Sequence, residues 1–489
     1  MPENVLFDPK NVPASTPVVS QTTASVQPAL GLRQNQSWLT QAAPPPPPRP
    51  KSSLSILFKL GLGVLLLVII LGVVLFVVLP DLNKQNQGHV TLVYWGLWND
   101  KTVMQPIIDA FEKQHPNITI DYQLQDIKSL YKENQEYPKR LTARINSGTG
   151  PDIFRYHNNW YPELAGVLAP MSQSVVSPQD FESTYFPVVS QDLVHNGAIY
   201  GIPLDFDTLA LYVNSEIFQK AGVKIPSDWN DVQLDAPQLT VKGSDGTITT
   251  SGIALGSLQN INNGSDILGL LLSESNVDYT QISANQAGAE SALNFFMQFT
   301  NSSNATWSST LPNSLQMFAA GNLAMYIGYS WDIASIQRLN PNLHFQIYPM
   351  PSDLGVKRTV ASYWVEGVSL RSAHMQQDME FMNFLNQKST QQQFYASAAK
   401  VRGYGEPYAR ADLAATLKSN SLIYPFEVQG PVAVSTIFND NTFDNGLNDK
   451  SNSYLKQAVN GMVSGGSVSN AVDILSNGVN KVLQQYSGQ

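Results

Sequence analysis

Twenty consecutive residues, 60–79, carry no charge and are dominated by Leu, Val, Ile and Gly. A helix of that length spans about 30 Å, the thickness of a bilayer's hydrocarbon core. The pattern therefore predicts one transmembrane helix, counted with its flanks as 54–80. A cleaved signal peptide would have a shorter apolar region and a small-residue cleavage site, whereas the exit reads Pro80-Asp81-Leu82-Asn83-Lys84. Arg49, Lys51 and Lys59 precede the run and only Lys84 closely follows it. The positive-inside tendency then leaves the amino terminus in the cytoplasm and the rest outside.

Beyond residue 88 the apolar positions alternate between strand-length runs and helical faces. Residues 90–95 read as a buried strand. Thr102 is placed to cap a helix with Val103, Ile107, Ile108 and Phe111 on one face, and 118–122 is a second strand. This β-α-β start implies a parallel sheet with a right-handed crossover, and ligands of such sheets sit at the carboxyl ends of strands. Trp95, Trp98, Asn99 and Asp100 fall there. A helix over 137–145 and a strand over 153–156 follow, the strand ending in a second polar-aromatic cluster with Asn159 and Trp160. Further on come a helix over 215–221 closed by Gly222, a turn-rich surface excursion over 228–250, and a helix over 314–320. Strands over 323–327 and 345–348, and the segment 361–370 with Tyr363, Trp364 and Glu366, complete the pattern before the terminal helices.

The stretch 200–214 is the pivot. Gly201 and Pro203 break what precedes, residues 209–213 make a buried strand, and Asp205 and Asp207 stand between them. Carboxylates are seldom buried without partners, so two at a strand mouth point to a polar ligand or a solvated edge.

Composition narrows the functional classes. The chain has 489 residues, too many for one core. Its net charge of −9 disfavours nucleic acid as a partner. It lacks cysteine, which excludes disulfides, thiolate metal sites, cysteine nucleophiles and lipid attachment through cysteine. No histidines pair at ligand spacing, so neither a metal nor another cofactor is expected. The loop Ser147-Gly148-Thr149-Gly150 has the wrong spacing for a phosphate cradle. Residues 1–53, rich in Pro, Ser, Thr and Gln, read as a disordered cytoplasmic tail, with Pro44 to Pro48 as a stiff spacer or a ligand for a proline-reading domain.

Several blocks together resemble the family 1 extracellular solute-binding proteins of ABC importers, the maltose-binding-protein group, over about 90–486. They are Ser147-Gly148-Thr149-Gly150-Pro151-Asp152, then Tyr200-Gly201-Ile202-Pro203 through Asn214 with Phe218 to Val223. The third is Ala320-Gly321-Asn322-Leu323-Ala324-Met325 leading to Gly328-Tyr329-Ser330-Trp331. The resemblance implies an α/β, two-lobed periplasmic-binding-protein-like (type II) fold, here preceded by the tail and the transmembrane helix. Lobe 1 would comprise 88–206 and 349–398, and lobe 2 would comprise 207–348 and 399–489, with crossings near Phe206, Tyr348 and Ala398. Carried over by position, Trp95, Trp98, Asn99, Asp100, Asn159, Trp160, Asp207 and Trp331 would face the cleft. Asp205, Tyr363, Trp364 and Glu366 are placed there by their positions at strand ends. The anchor departs from the usual lipid-modified or released members.

Aromatic rings cover the CH faces of sugars while Asp, Asn and Glu bond the hydroxyls, so these residue types suit a neutral carbohydrate. The expected partners are that ligand and the membrane subunits of an ABC permease, with the protein itself a monomer. A membrane-anchored carbohydrate sensor or scaffold is the alternative. A glycoside hydrolase using Asp205, Asp207 or Glu366 is another, but carboxylates one residue apart on a strand point to opposite faces.

Overall fold

The computed structural model describes residues 65–72, 88–133, 135–301, 303–352 and 356–486. The expected tail, 1–53, lies outside the described residues. So does most of the expected membrane span, 54–80. Its described part, 65–72, is helical, with exposed leucines and isoleucines, and belongs to a different compact unit from the rest. No helix among the described residues is long and apolar enough to cross a membrane.

The strands of the larger unit begin with β1 (Val90–Gly96), β2 (Ile118–Leu124) and β3 (Ile153–His157). A small hairpin of β4 (Val194–His195) and β5 (Ala198–Ile199) precedes β6 (Ile202–Pro203) and β7 (Asp207–Thr208). Then come β8 (Ala210–Asn214), β9 (Val241–Lys242), β10 (Ile248–Ile253), β11 (Leu323–Gly328) and β12 (Phe345–Tyr348). Last are β13 (Thr359–Ser362), β14 (Trp364–Val368) and β15 (Ala433–Val434).

These strands build two five-stranded sheets. The first has the order β2-β1-β3-β14-β6, with β1 parallel to both neighbours and β14 antiparallel to β3 and β6. The second has the order β12-β8-β11-β10-β9. Each sheet has its own core. Tyr94, Phe111, Phe154, Trp160 and Phe381 belong to the first, and Tyr212, Phe296, Tyr326, Leu455 and Val479 to the second. Every residue of β8 is buried, as its continuous apolar run requires.

The chain changes core between Phe206 and Leu209, between Val360 and Ala361, and between Ala398 and Tyr404. The second change differs from the crossing expected at Tyr348. Ile347, Met350 and Val360 still pack in the second core, so the chain passes over on β13. There β13 runs antiparallel to β7 and parallel to β15, and this three-stranded ribbon joins the lobes. Ala409 and Ala433 also return to the first core after the third change, so the last crossing is a weave rather than a single pass.

Two local expectations are corrected. The helix Lys101–Gln114 is capped by Asp100, whose carboxylate accepts from the backbone N–H groups of Thr102 (2.8 Å) and Val103 (3.3 Å), not by Thr102. The stretch over 228–250 is not a surface excursion. It holds the helix Trp229–Gln238, which buries Trp229, Val232 and Ala236, followed by β9 and the start of β10.

Candidate functional site

A cavity of about 420 Å³ lies between the two sheets' cores, bounded by residues from both and from the ribbon. Each wall is positioned by a short, specific device. After β1 the chain turns at Gly96, where a Cβ would strike the ring of Tyr122, and Trp98 takes a left-handed conformation (φ 65°). The Tyr122 hydroxyl donates to the carbonyl of Asn99, holding that loop against the sheet. Trp98 is thereby left 41% exposed at the cavity, its ring edge-on to Trp364 at 5.6 Å. Trp364 opens β14 and is backed by the fully buried Trp160 at 5.3 Å and by His157 at 5.0 Å. From the second lobe, Trp331 stacks on Tyr329 at 4.2 Å.

Carboxylates line the same cavity. Asp207, on β7, accepts from the Ser330 N–H (2.9 Å) and hydroxyl (2.6 Å) and from the Thr208 N–H (2.8 Å). Burial nevertheless pushes its carboxyl well above the usual range. Asp332 accepts from the Tyr326 hydroxyl (2.7 Å) and is pushed up to about 6, again by burial. Asp205 is ion-paired with the buried guanidinium of Arg155. Behind them the wholly buried Glu366 lies 3.6 Å from Arg155. Burial raises Glu366 to about 7, although the Arg155 charge opposes this. Burial likewise disfavours the Arg155 charge, but the two carboxylates more than offset it. His157 is lowered to about 3 by burial and lies 3.0 Å from the Ser362 hydroxyl.

Of the residues picked from the sequence, Trp98, Asn99, Asp205, Asp207, Trp331 and Trp364 line this cavity. Asp205 and Asp207 do so together, contrary to the opposite-face expectation, because residues 204–206 are irregular rather than strand. The other six are committed elsewhere. Trp95 is buried, its indole N–H donating to Gln123 (3.1 Å) and its ring beneath the Arg140 guanidinium. Asp100 is the helix cap. Asn159 donates to the Thr436 carbonyl and to Asn439, both at 2.6 Å. Trp160 packs behind Trp364, Tyr363 donates to Asp192 (2.6 Å), and Glu366 belongs to the buried ion group.

Sequence reasoning missed Lys128, the pair Asn262 and Asn263, and the run Asp440, Asn441, Thr442 and Phe443. The run sits in Asn439-Asp440-Asn441-Thr442-Phe443-Asp444-Asn445-Gly446, a turn-rich stretch with one aromatic, and that pattern was the available signal. Asn441, Phe443 and Asn445 all have positive φ. Arg402 and Glu406 also line the cavity as an ion pair. Among the described residues no group of His, Cys, Asp or Glu could hold a metal ion.

Among curated proteins, a binding protein of Brucella abortus (strain 2308) is 25% identical over 139 residues, covering 28% of this chain and 32% of that one. The chain thus spans about a third of the length of the curated relatives it matches. Solved structures match much further. An ABC transporter solute-binding protein from Thermotoga lettingae TMO, bound with α-D-tagatose, aligns with a TM-score of 0.59 at 18% identity. That alignment covers 80% of this chain and 99% of the other. A cyclo/maltodextrin-binding protein complexed with maltotetraose aligns with a TM-score of 0.64 at 16% identity, over 81% and 97% of the two chains. These likenesses establish the two-lobed α/β fold. The model of the bacterial extracellular solute-binding protein family matches residues 96–392, well over half of the sequence, and the chain belongs to that family.

Proposed function

We propose that this chain captures a neutral carbohydrate between its lobes and delivers it to the permease of an ABC importer. The observation that carries the reading is the set of Trp98, Trp331 and Trp364 around a cavity whose wall also carries carboxylates and amides, among them Asp205, Asp207, Asp332, Asn99, Asn262 and Asn263. Indole faces suit the CH faces of sugars, and the polar groups suit their hydroxyls. The two arginines of the wall, Arg155 and Arg402, are each matched by a carboxylate, and its lysine, Lys128, stands over the rings of Trp98 and Phe443. Neighbours of the same fold were solved with α-D-tagatose and with maltotetraose bound. Delivery works by hinge closure about the β7-β13-β15 ribbon: the solute touches both lobes and stabilises the closed form by its differential affinity. The apolar run 54–80 tethers the lobes at the outer face of the membrane, and the link 81–88, about 27 Å at full extension, keeps them near the permease. No covalent step is part of this reading.

The test is a thermal-shift screen of the full chain in detergent against mono- and oligosaccharides and against sugar phosphates. A sugar present at one hundred times its dissociation constant stabilises the protein by about 2.7 kcal/mol. A neutral sugar is expected to raise the midpoint, and Trp331→Ala to weaken its binding at least tenfold, about 1.4 kcal/mol. A response confined to the phosphorylated compounds would defeat the neutral assignment.

A further inference from the structure

Residues 435–447 leave the ribbon after β15 and touch both lobes in alternation. Ile437, Phe438 and Leu447 are buried in the second core. Between and beside them the same segment reaches to the first lobe. The Ser435 hydroxyl donates to Asp192 (2.6 Å), and Thr436 and Asn439 accept from Asn159. The Asn445 amide donates to Glu136 (2.6 Å) and the Leu447 N–H to Glu163 (2.6 Å). At the centre of the run stands Phe443, held in a left-handed conformation. Its ring lies 6.1 Å from Trp98 and 5.6 Å from Tyr131, both on the first lobe. The Lys128 ammonium is 5.4 Å from the Trp98 ring and 5.6 Å from that of Phe443. Trp98, Lys128 and Phe443 all line the cavity.

A non-glycine residue with positive φ costs free energy that surrounding contacts must offset, and this segment has three within five residues. Phe443 and Asn445 are held from the opposite lobe by the rings of Trp98 and Tyr131 and by the bond to Glu136, and the Asn445 N–H also donates to Asp449 within the second lobe. We propose that residues 435–447 form a strap that fastens the two lobes together on one side of the cavity. Phe443, seated on Trp98 and Lys128, is the wall that limits the size of the solute. A solute must end before that wall, where these three side chains meet at the cavity's edge. The size limit rests on the solute-binding reading above; the fastening does not.

The absence of cysteine makes the test direct. Gln105 and Gln337, exposed on the first and second lobes, are replaced by cysteine in the full chain and labelled with nitroxides, and the distance between them is measured without any sugar. Phe443→Ala, and separately Lys128→Gln at an exposed position that leaves the core untouched, are expected to lengthen or broaden that distance. In the same proteins, binding is measured across malto-, cello-, xylo- and manno-oligosaccharides of one to six units. The unsubstituted protein is expected to gain nothing beyond the short members, and Phe443→Ala to bind the longer ones at least tenfold better than it does. An unchanged distance in both variants overturns the strap. A changed distance with an unchanged length profile overturns the size limit. If no sugar of any series binds the unsubstituted protein, the carbohydrate reading fails, and the distance measurement alone decides the strap.

Discussion

Arg155→Met is expected to lower the stability of the folded chain by roughly 3–5 kcal/mol, the usual cost of breaking a buried ion pair by removing one partner. The size of the effect follows from what the guanidinium leaves behind. Asp205 would lose its ion-pair partner, and Glu366, fully buried 3.6 Å away, would have no opposite charge near it. Glu366 cannot turn to water without disturbing the joint between β3 and β14, which pair at Arg155 and Glu366, whereas Asp205 already lines the cavity. A urea midpoint measured for the single variant and for Arg155→Met with Glu366→Gln settles the matter. The second substitution removes one stranded carboxylate and should restore part of the loss, giving a coupling energy of the order of 1 kcal/mol or more. A loss below about 1 kcal/mol in the single variant, or strict additivity, would show that the buried group is not one electrostatic unit.

Raising the pH from 5 to 8 is expected to destabilise the native chain. Burial pushes Glu163 up to about 8, Glu366 and Asp378 to about 7, and Asp192, Asp332 and Asp444 to about 6. A carboxyl raised in the fold keeps its proton there after the unfolded chain has released it. Its contribution is therefore fully present below about pH 4 and is lost as the pH climbs to its folded value. His157 acts in the opposite sense, since burial lowers it to about 3 and stability falls as the pH drops below 6.5. The raised carboxyls, Asp207 among them, outnumber the lowered imidazoles of His157 and His195 and decide the sign between pH 5 and 8. Each tenfold change in proton affinity amounts to about 1.4 kcal/mol, so the total is on the order of several kcal/mol. The contact between Glu163 and the strap should respond last, because Glu163 has the highest of these values. Glu163 faces Asp444, Lys450 and Tyr486, and its ionisation places a second negative charge against Asp444. Thermal midpoints across this interval, paired with Glu163→Gln, provide the check. A midpoint that stays level or rises towards pH 8 contradicts the argument.

Much of the architecture was legible because period and punctuation speak directly of local structure. The run at β8, the stop at Gly222 (φ 68°) and the helix after Asn313 stand where the pattern put them. The site was legible only in part, because a residue type does not report which side of a wall it faces. Trp95 and Trp98 are three apart and both follow from the same strand, yet one is core and the other is cavity, a distinction made by the left-handed turn at Trp98. Asn159 has the chemistry of a sugar ligand but finds its partners at Thr436 and Asn439, nearly 280 positions away, where no local pattern could point. The crossing at Val360 was misplaced for a similar reason. A Pro-Met-Pro run at 349–351 looks like a boundary, and only packing reveals that Met350 still belongs to the second core.

The weaving of the chain between its lobes bears on how such a protein is made. The first sheet is begun by β1 at Val90 but has its fourth member, β14, only at Trp364–Val368, and its core also takes Ala409 and Ala433. A polypeptide threaded outward from its amino end would therefore expose half-built β3 until most of its length had emerged. Completion is tied to the tail end of synthesis, and a truncated product lacking the last hundred residues would leave both lobes unfinished instead of yielding one intact lobe.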